Sequence, residues 1–182
     1  MPRRLALAAT LAFVVSACSA PPQKEREQAD DAIAAAKAAE AAEYAPDDLQ
    51  KATASRKAYD AAVAQGDYRA ALGHAISARD SASTAAKLAG DRKAAARSDA
   101  ERLIVDLEGL LMVAKSRLGG TPPPLSAQAA TRVRTAVRTA PKLLQEARSL
   151  LAKQDFKGVK SLLEAPAQSL RKDLTPPAGR RK

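Results

Sequence analysis

From Tyr68 onward the apolar positions Ala71, Ala75, Ala78, Ala82, Ala85 and Ala89 recur at a strict 3-4 spacing. That spacing puts them on one stripe of a helix, and alanine lets a second helix approach closely. A second seam follows at Ala100, Ile104, Leu107, Leu111, Ala114 and Leu118. Unless Gly90 interrupts it, one helix is predicted from Tyr68 to Leu118, a rod of about 75 Å at 1.5 Å per residue. Val133, Val137, Ala140, Leu144, Ala147 and Leu151 form a third stripe, in which Pro141 is expected to kink or split the helix. Phe156, Val159, Leu163, Pro166 and Leu170 mark a last helix. Upstream, Ala29, Ala32, Ile33, Ala36 and Ala39 predict a helix from about Gln28 to Glu43. Leu49, Ala52, Ser55, Tyr59 and Val63 predict another with a partly polar stripe. Strand formers are sparse and no period-2 alternation occurs, so the chain is expected to be all-α. The expected architecture is antiparallel helical hairpins or a three-helix bundle, with one long rod-like helix and a C-terminal helical hairpin.

The breaks between stripes are as informative as the stripes. In EYAPDDLQKA, residues 43–52, Pro46 suits the first position of a helix, where its missing N–H has no partner to lose. Asp47 and Asp48 then fall in the first turn, at the positive end of the helix dipole. In QGDY, Gly66 suits a helix C-cap and Asp67 an N-cap. KQDF repeats the device with Asp155 and Phe156, at an offset of 88 residues from Asp67 and Tyr68. Either an old duplication or two hairpins with similar turn chemistry would give that match. GGTPPP, residues 119–124, is the clearest boundary in the chain. The expected organisation is a leader 1–17, a tether 18–27, an Ala-rich helical body 28–118, a linker 119–124, a basic hairpin 125–174 and a disordered basic tail 175–182.

Composition narrows this further. The 182 residues are 46% hydrophobic, but only 3% are aromatic and none is Trp. Alanine supplies much of the apolar content and buries little area, so close helix packing replaces a thick core. The net charge of +10 is unevenly placed. Residues 24–50 carry 3 basic and 8 acidic side chains, net −5. Residues 119–182 carry 13 and 4, net +9. A basic end of this kind is either a solvated surface or a face for an anionic partner.

The first residues read as an address. Arg3 and Arg4 precede an apolar run from Leu5 to Val15, which is too short to span a bilayer. Val15-Ser16-Ala17-Cys18 resembles the bacterial lipobox. The resemblance implies cleavage between Ala17 and Cys18, lipidation of the Cys18 thiol and acylation of the new N-terminus, with palmitate as an expected chain. Ordinary cleavage after Ala20 is the alternative. Cys18 is the single cysteine, so no intrachain disulfide is possible. Two or more acyl chains anchor a protein stably. Ser19 after the cysteine resembles the default for outer-membrane sorting, which implies an envelope lipoprotein facing the periplasm.

The segment AAEYAPDDLQKA…AYDAAVAQGDYRAALGHAISARDSA resembles the family catalogued as domain of unknown function 4398. The shared features are an Ala-rich first helix, the start at Tyr44-Ala45-Pro46, the turn at Gly66-Asp67-Tyr68, and Ala71 and Ala75 beyond it. They cover about residues 28–90. The resemblance implies a bacterial envelope lipoprotein and carries no functional residue with it. The second half of a tetratricopeptide repeat also fits Gly66, Tyr68, Ala71 and Ala78, but its first half and its 34-residue period are missing.

Candidate chemistry is thin. His74, the one histidine, lies beside the Ala71–Ala75 stripe without ligand partners at a metal spacing. No phosphate loop or hydrolase motif occurs, and adjacent acids such as Asp30-Asp31 suit helix starts better than acid–base work. The expectation is no enzyme activity, no metal and no cofactor. Arg134, Arg138 and Lys142, spaced four apart with Arg132 nearby, form the candidate face for an anionic partner. Peptidoglycan, lipopolysaccharide or an acidic envelope protein would suit it. Nucleic acid is not expected, since stacking aromatics are nearly absent. Self-association through the alanine seam is a further possibility. These features point to a membrane-anchored structural or scaffolding lipoprotein of the cell envelope. The alternative is an adaptor or accessory subunit of an envelope complex.

Overall fold

The protein is described by a computed structural model, covering residues 20–122 and 125–175. The lipobox, the last prolines of the linker and the extreme C-terminus lie outside the described residues. Among those described, the fold is all-α, with six helices and no strand. They are α1 (Gln23–Ala38), α2 (Ala41–Tyr44), α3 (Pro46–Ala64), α4 (Tyr68–Leu118), α5 (Ala127–Ala152) and α6 (Phe156–Leu174). The chain divides into two compact units, Met1–Gly90 and Asp91–Lys182, and the division falls inside α4.

In the first unit, α1, α2, α3 and the start of α4 pack around small side chains. α1 begins at Gln23, before the expected Gln28, because Pro21 and Pro22 set its start and its charged first turns need no buried stripe. It ends at Ala38, before the expected Glu43, because Glu40 turns left-handed at φ 60°. That turn folds Ala41, Tyr44 and Ala45 into the core, all buried. Pro46 then opens α3, with Asp47 and Asp48 in its first turn. Ala71, Ala75, Ala78, Ala82, Ala85 and Ala89 have no exposed surface at all, so the alanine seam is closed within this chain. Tyr59 and Ala62 of α3 pack on Ala71 and Ala75. The partly polar stripe of α3 is accounted for by Ser55, whose Oγ lies 3.3 Å from that of Ser77.

Arg56 ties α3 to α1. Its guanidinium donates to Asp30 at 2.5 Å and to Asp60 at 2.6 Å, and it lies 5.2 Å from the centre of the Tyr59 ring. The hydrogen bond to Asp30 leads the causes that raise its pKa above the ordinary arginine value.

The second unit packs the rest of α4 against α5 and α6. Ala100, Ile104, Leu107, Leu111 and Ala114 meet Val133, Ala140, Leu144 and Ala147 from α5 and Phe156, Val159, Leu163 and Leu170 from α6. Leu107, Leu163 and Leu170 are the largest of its fully buried side chains. Neither Pro141 nor Pro166 splits its helix, although each removes one N–H from the ladder. Ion pairs join the helices at the rim, among them Arg132 to Asp173, Arg148 to Glu108 and Arg171 to Asp106.

The two aspartate turns share the same pair of capping hydrogen bonds. Asp67 N–H donates to Ala62 C=O at 2.9 Å, and Asp155 N–H to Leu150 C=O at 3.0 Å. Gly66 N–H donates to Val63 C=O, and Gln154 N–H to Leu151 C=O, both at 3.0 Å. Each is the six-to-one and shorter bond pair of a left-handed helix C-cap. The left-handed residue is Gly66 at φ 73° in one and Gln154 at φ 61° in the other. Each aspartate then caps the next helix, accepting from Ala70 N–H at 2.9 Å or Gly158 N–H at 2.7 Å.

Candidate anionic-partner surface

Arg134, Arg138 and Lys142 all project from α5 into solvent and make no ion pair among the described residues. Four residues rise about 6 Å along a helix and turn about 40° past a full circle. The three cations therefore form a slanting track on the outer side of α5, away from the buried Val133, Ala140 and Leu144. No acidic residue occurs between Leu125 and Gln145, so nothing on this part of α5 neutralises them.

Arg132 does not share that track. Two residues correspond to about 200° around a helix, so Arg132 and Arg134 point to different sides. Arg132 faces α6 and donates to Asp173 through Nε at 2.8 Å and Nη2 at 2.6 Å. The Asp173 side chain is only 8% exposed, so this pair is a fixed rim contact. The hydrogen bond to Asp173 raises the Arg132 pKa above its ordinary value. Of the four basic candidates, the structure brings three together and assigns the fourth to helix packing. Cys18 and Ala17 lie outside the described residues.

A groove between α5 and α6 runs beside Arg132, floored by Leu107 and Leu170 and edged by Thr131, Thr135 and Thr139. The three hydroxyls each donate to the carbonyl four residues back, at 3.1 or 3.2 Å. Their hydrogens are thus committed to their own helix. His74 is half-buried on α4. Among the described residues no group of three or more His, Cys, Asp or Glu could hold a metal ion, and no helix is long and apolar enough to cross a membrane.

The sequence reading missed a surface on α4. Val105 is 66% exposed and Met112 74% exposed, the largest values for big apolar side chains among the described residues. Ser98, Arg102, Val105, Gly109, Met112 and Ser116 keep a 4-3-4-3-4 spacing opposite the buried seam. Only Val105 and Met112 among these positions are large and apolar, so the sequence carried little signal for this surface. Comparison with protein-family models, with curated proteins and with solved structures finds no match to this chain.

Proposed function

We propose that this chain is a membrane-anchored envelope lipoprotein with a scaffolding role, held by lipid at Cys18 and touching an anionic envelope component through α5. The observation that carries the reading is the acid-free track of Arg134, Arg138 and Lys142, exposed and without ion pairs among the described residues. Cations on one helix face, not drawn into local pairs, keep their field available to a partner. The lipobox-like Val15-Ser16-Ala17-Cys18 supports the anchor, and the carboxylates of peptidoglycan or the phosphates of lipopolysaccharide fit the charge.

The test is sedimentation with purified peptidoglycan and, in parallel, with lipopolysaccharide. Binding is expected to weaken between about 0.05 and 0.5 M salt, as the screening length shrinks from above 10 Å towards 3 Å. Arg134→Gln/Arg138→Gln/Lys142→Gln should lose it, while Lys153→Gln should not. Binding unchanged in the triple variant refutes the role of α5. The anchor is tested separately: a Cys18→Ser chain that stays in the membrane fraction without acyl label refutes it.

A further inference from the structure

Pro22 is a fixed point of the first unit. Its C=O accepts from the Tyr59 hydroxyl of α3 at 3.4 Å, and α1 starts at the next residue. The tether expected over 18–27 therefore ends at Pro22. Four peptide steps separate Cys18 from Pro22, about 14 Å when fully extended.

The helix register identifies the side chains at that end. α1 runs antiparallel to α3, since Asp30 meets Arg56 and Pro22 meets Tyr59. α4 also runs antiparallel to α3, since Ser77 meets Ser55 and Ala71 packs on Tyr59. α1 and α4 are thus parallel, and Gln28 of the first accepts from Arg79 Nη1 of the second at 3.4 Å. From that level, Pro22 lies six residues back along α1, about 9 Å, and Leu72 seven residues back along α4, about 10 Å. Arg69, Leu72, Ile76 and Arg79 follow one another at 3-4-3 spacing, so all four share the flank of α4 beside α1. Among the described residues of the first unit, Leu72 and Ile76 are the exposed large apolar side chains, each 38% exposed. Arg69, one turn nearer the end, is exposed as well.

We propose, on the basis of the lipid anchor at Cys18 put forward above, that this flank is a second membrane contact. Leu72 and Ile76 enter the interface of the bilayer that holds Cys18, and Arg69 reaches its phosphates. Two apolar side chains alone bind a membrane weakly. The short tether makes the contact intramolecular, at an effective concentration of roughly millimolar, so a weak contact is populated. The apolar pair supplies buried area, and the arginine stem leaves its charge among the headgroups. Asp80, the next acid along α4, is held by Arg79 at 2.9 Å. An anchor alone leaves the unit free to turn about its tether, whereas this contact sets one flank of it face down.

The test uses the acylated chain in vesicles of phosphatidylethanolamine and phosphatidylglycerol. A nitrobenzoxadiazole label is placed at Arg69→Cys, Leu72→Cys, Ile76→Cys or, as a control, Ala38→Cys. Cys18 is the single native cysteine and carries lipid, so no other thiol takes the label. Ala38 is exposed at the far end of α1, about 22 Å along the helix from Gln23. Doxyl-labelled lipids should quench the labels at 69, 72 and 76 at least threefold more than the label at 38. Iodide should quench those three at least twofold less than in the same variants carrying Cys18→Ser in solution. The label at 69 keeps the test decisive where dichroism shows that a label at 72 or 76 disturbs packing. Equal lipid quenching at all four sites overturns the proposal. So does shielding from iodide without lipid quenching, which marks a protein cover. Intact mass reports the anchor separately. An acylated chain without the quenching overturns the membrane contact alone, whereas a free Cys18 thiol overturns both readings.

Discussion

Leu163→Ala separates the two units experimentally. Leu163 has no exposed surface and sits in the core of the second unit, against residues of α4 and α5. Removing its three outer carbons loses their burial and leaves a cavity, a combined cost of about 2–5 kcal/mol. A domain of this size has a total stability of roughly 5–13 kcal/mol, so the loss is a large fraction. The corresponding fall in melting temperature is about 12–24 °C for a 3 kcal/mol change. The assay exploits the distribution of aromatics. All three tyrosines, Tyr44, Tyr59 and Tyr68, belong to the first unit, and there is no Trp. Tyrosine fluorescence therefore follows the first unit alone, while dichroism at 222 nm follows both. In Leu163→Ala the dichroism melt should split, its first step well below the tyrosine transition, which stays near the wild-type value. A single transition with both probes moving together would refute the reading of two separately cooperative units.

Asp67→Ala and Asp155→Ala each remove a side-chain cap and should cost about 1 kcal/mol. The first should appear in both optical probes and the second in dichroism alone. Gln154→Gly should stabilise the second unit by about 0.5–1 kcal/mol, because glycine adopts a positive φ without the Cβ penalty. Gly66→Ala, at the matching position, should destabilise the first by about 1 kcal/mol. Equal effects of the same sign at these two sites would refute the equivalence of the turns. Arg132→Gln should lower the thermal midpoint while leaving anionic-polymer binding intact, and the triple α5 variant should do the reverse.

What could be read in advance divides along physical lines. Local rules sufficed for Pro46 and for the aspartate caps, because each depends on a few neighbouring residues, but they left open whether Gly90 interrupts α4, which is one helix from Tyr68 to Leu118. The end of α1 at Ala38 was not legible. The run around Glu40 is rich in helix formers, and the left-handed turn there serves the burial of Ala41 and Tyr44, a tertiary gain. Pro141 shows the converse, a local breaker overridden by the packing of Ala140, Leu144 and Ala147 on both sides of it. For the basic surface, the four-residue spacing identified three of the cations correctly as neighbours. Arg132 differs by two positions, and only its partner on α6 reveals that its role is packing. The exposed Val105 and Met112 on the outer side of α4 were not legible, since Ser98, Arg102, Gly109 and Ser116 around them leave no hydrophobic period to mark the surface.

The matched turns have a consequence for how such hairpins change length. α3 has 19 residues and α5 has 26, yet each runs into the same capped aspartate turn. The difference is one heptad, which returns a helix face to within about 20° of where it began. Size in this architecture is therefore quantised. A hairpin gains or loses seven residues with its inward face and its turn intact, whereas a change of one or two would swing the whole stripe out of the core. Insertions and deletions tolerated along α3 and α5 should come in sevens or elevens, the lengths that return the face to within about 20°.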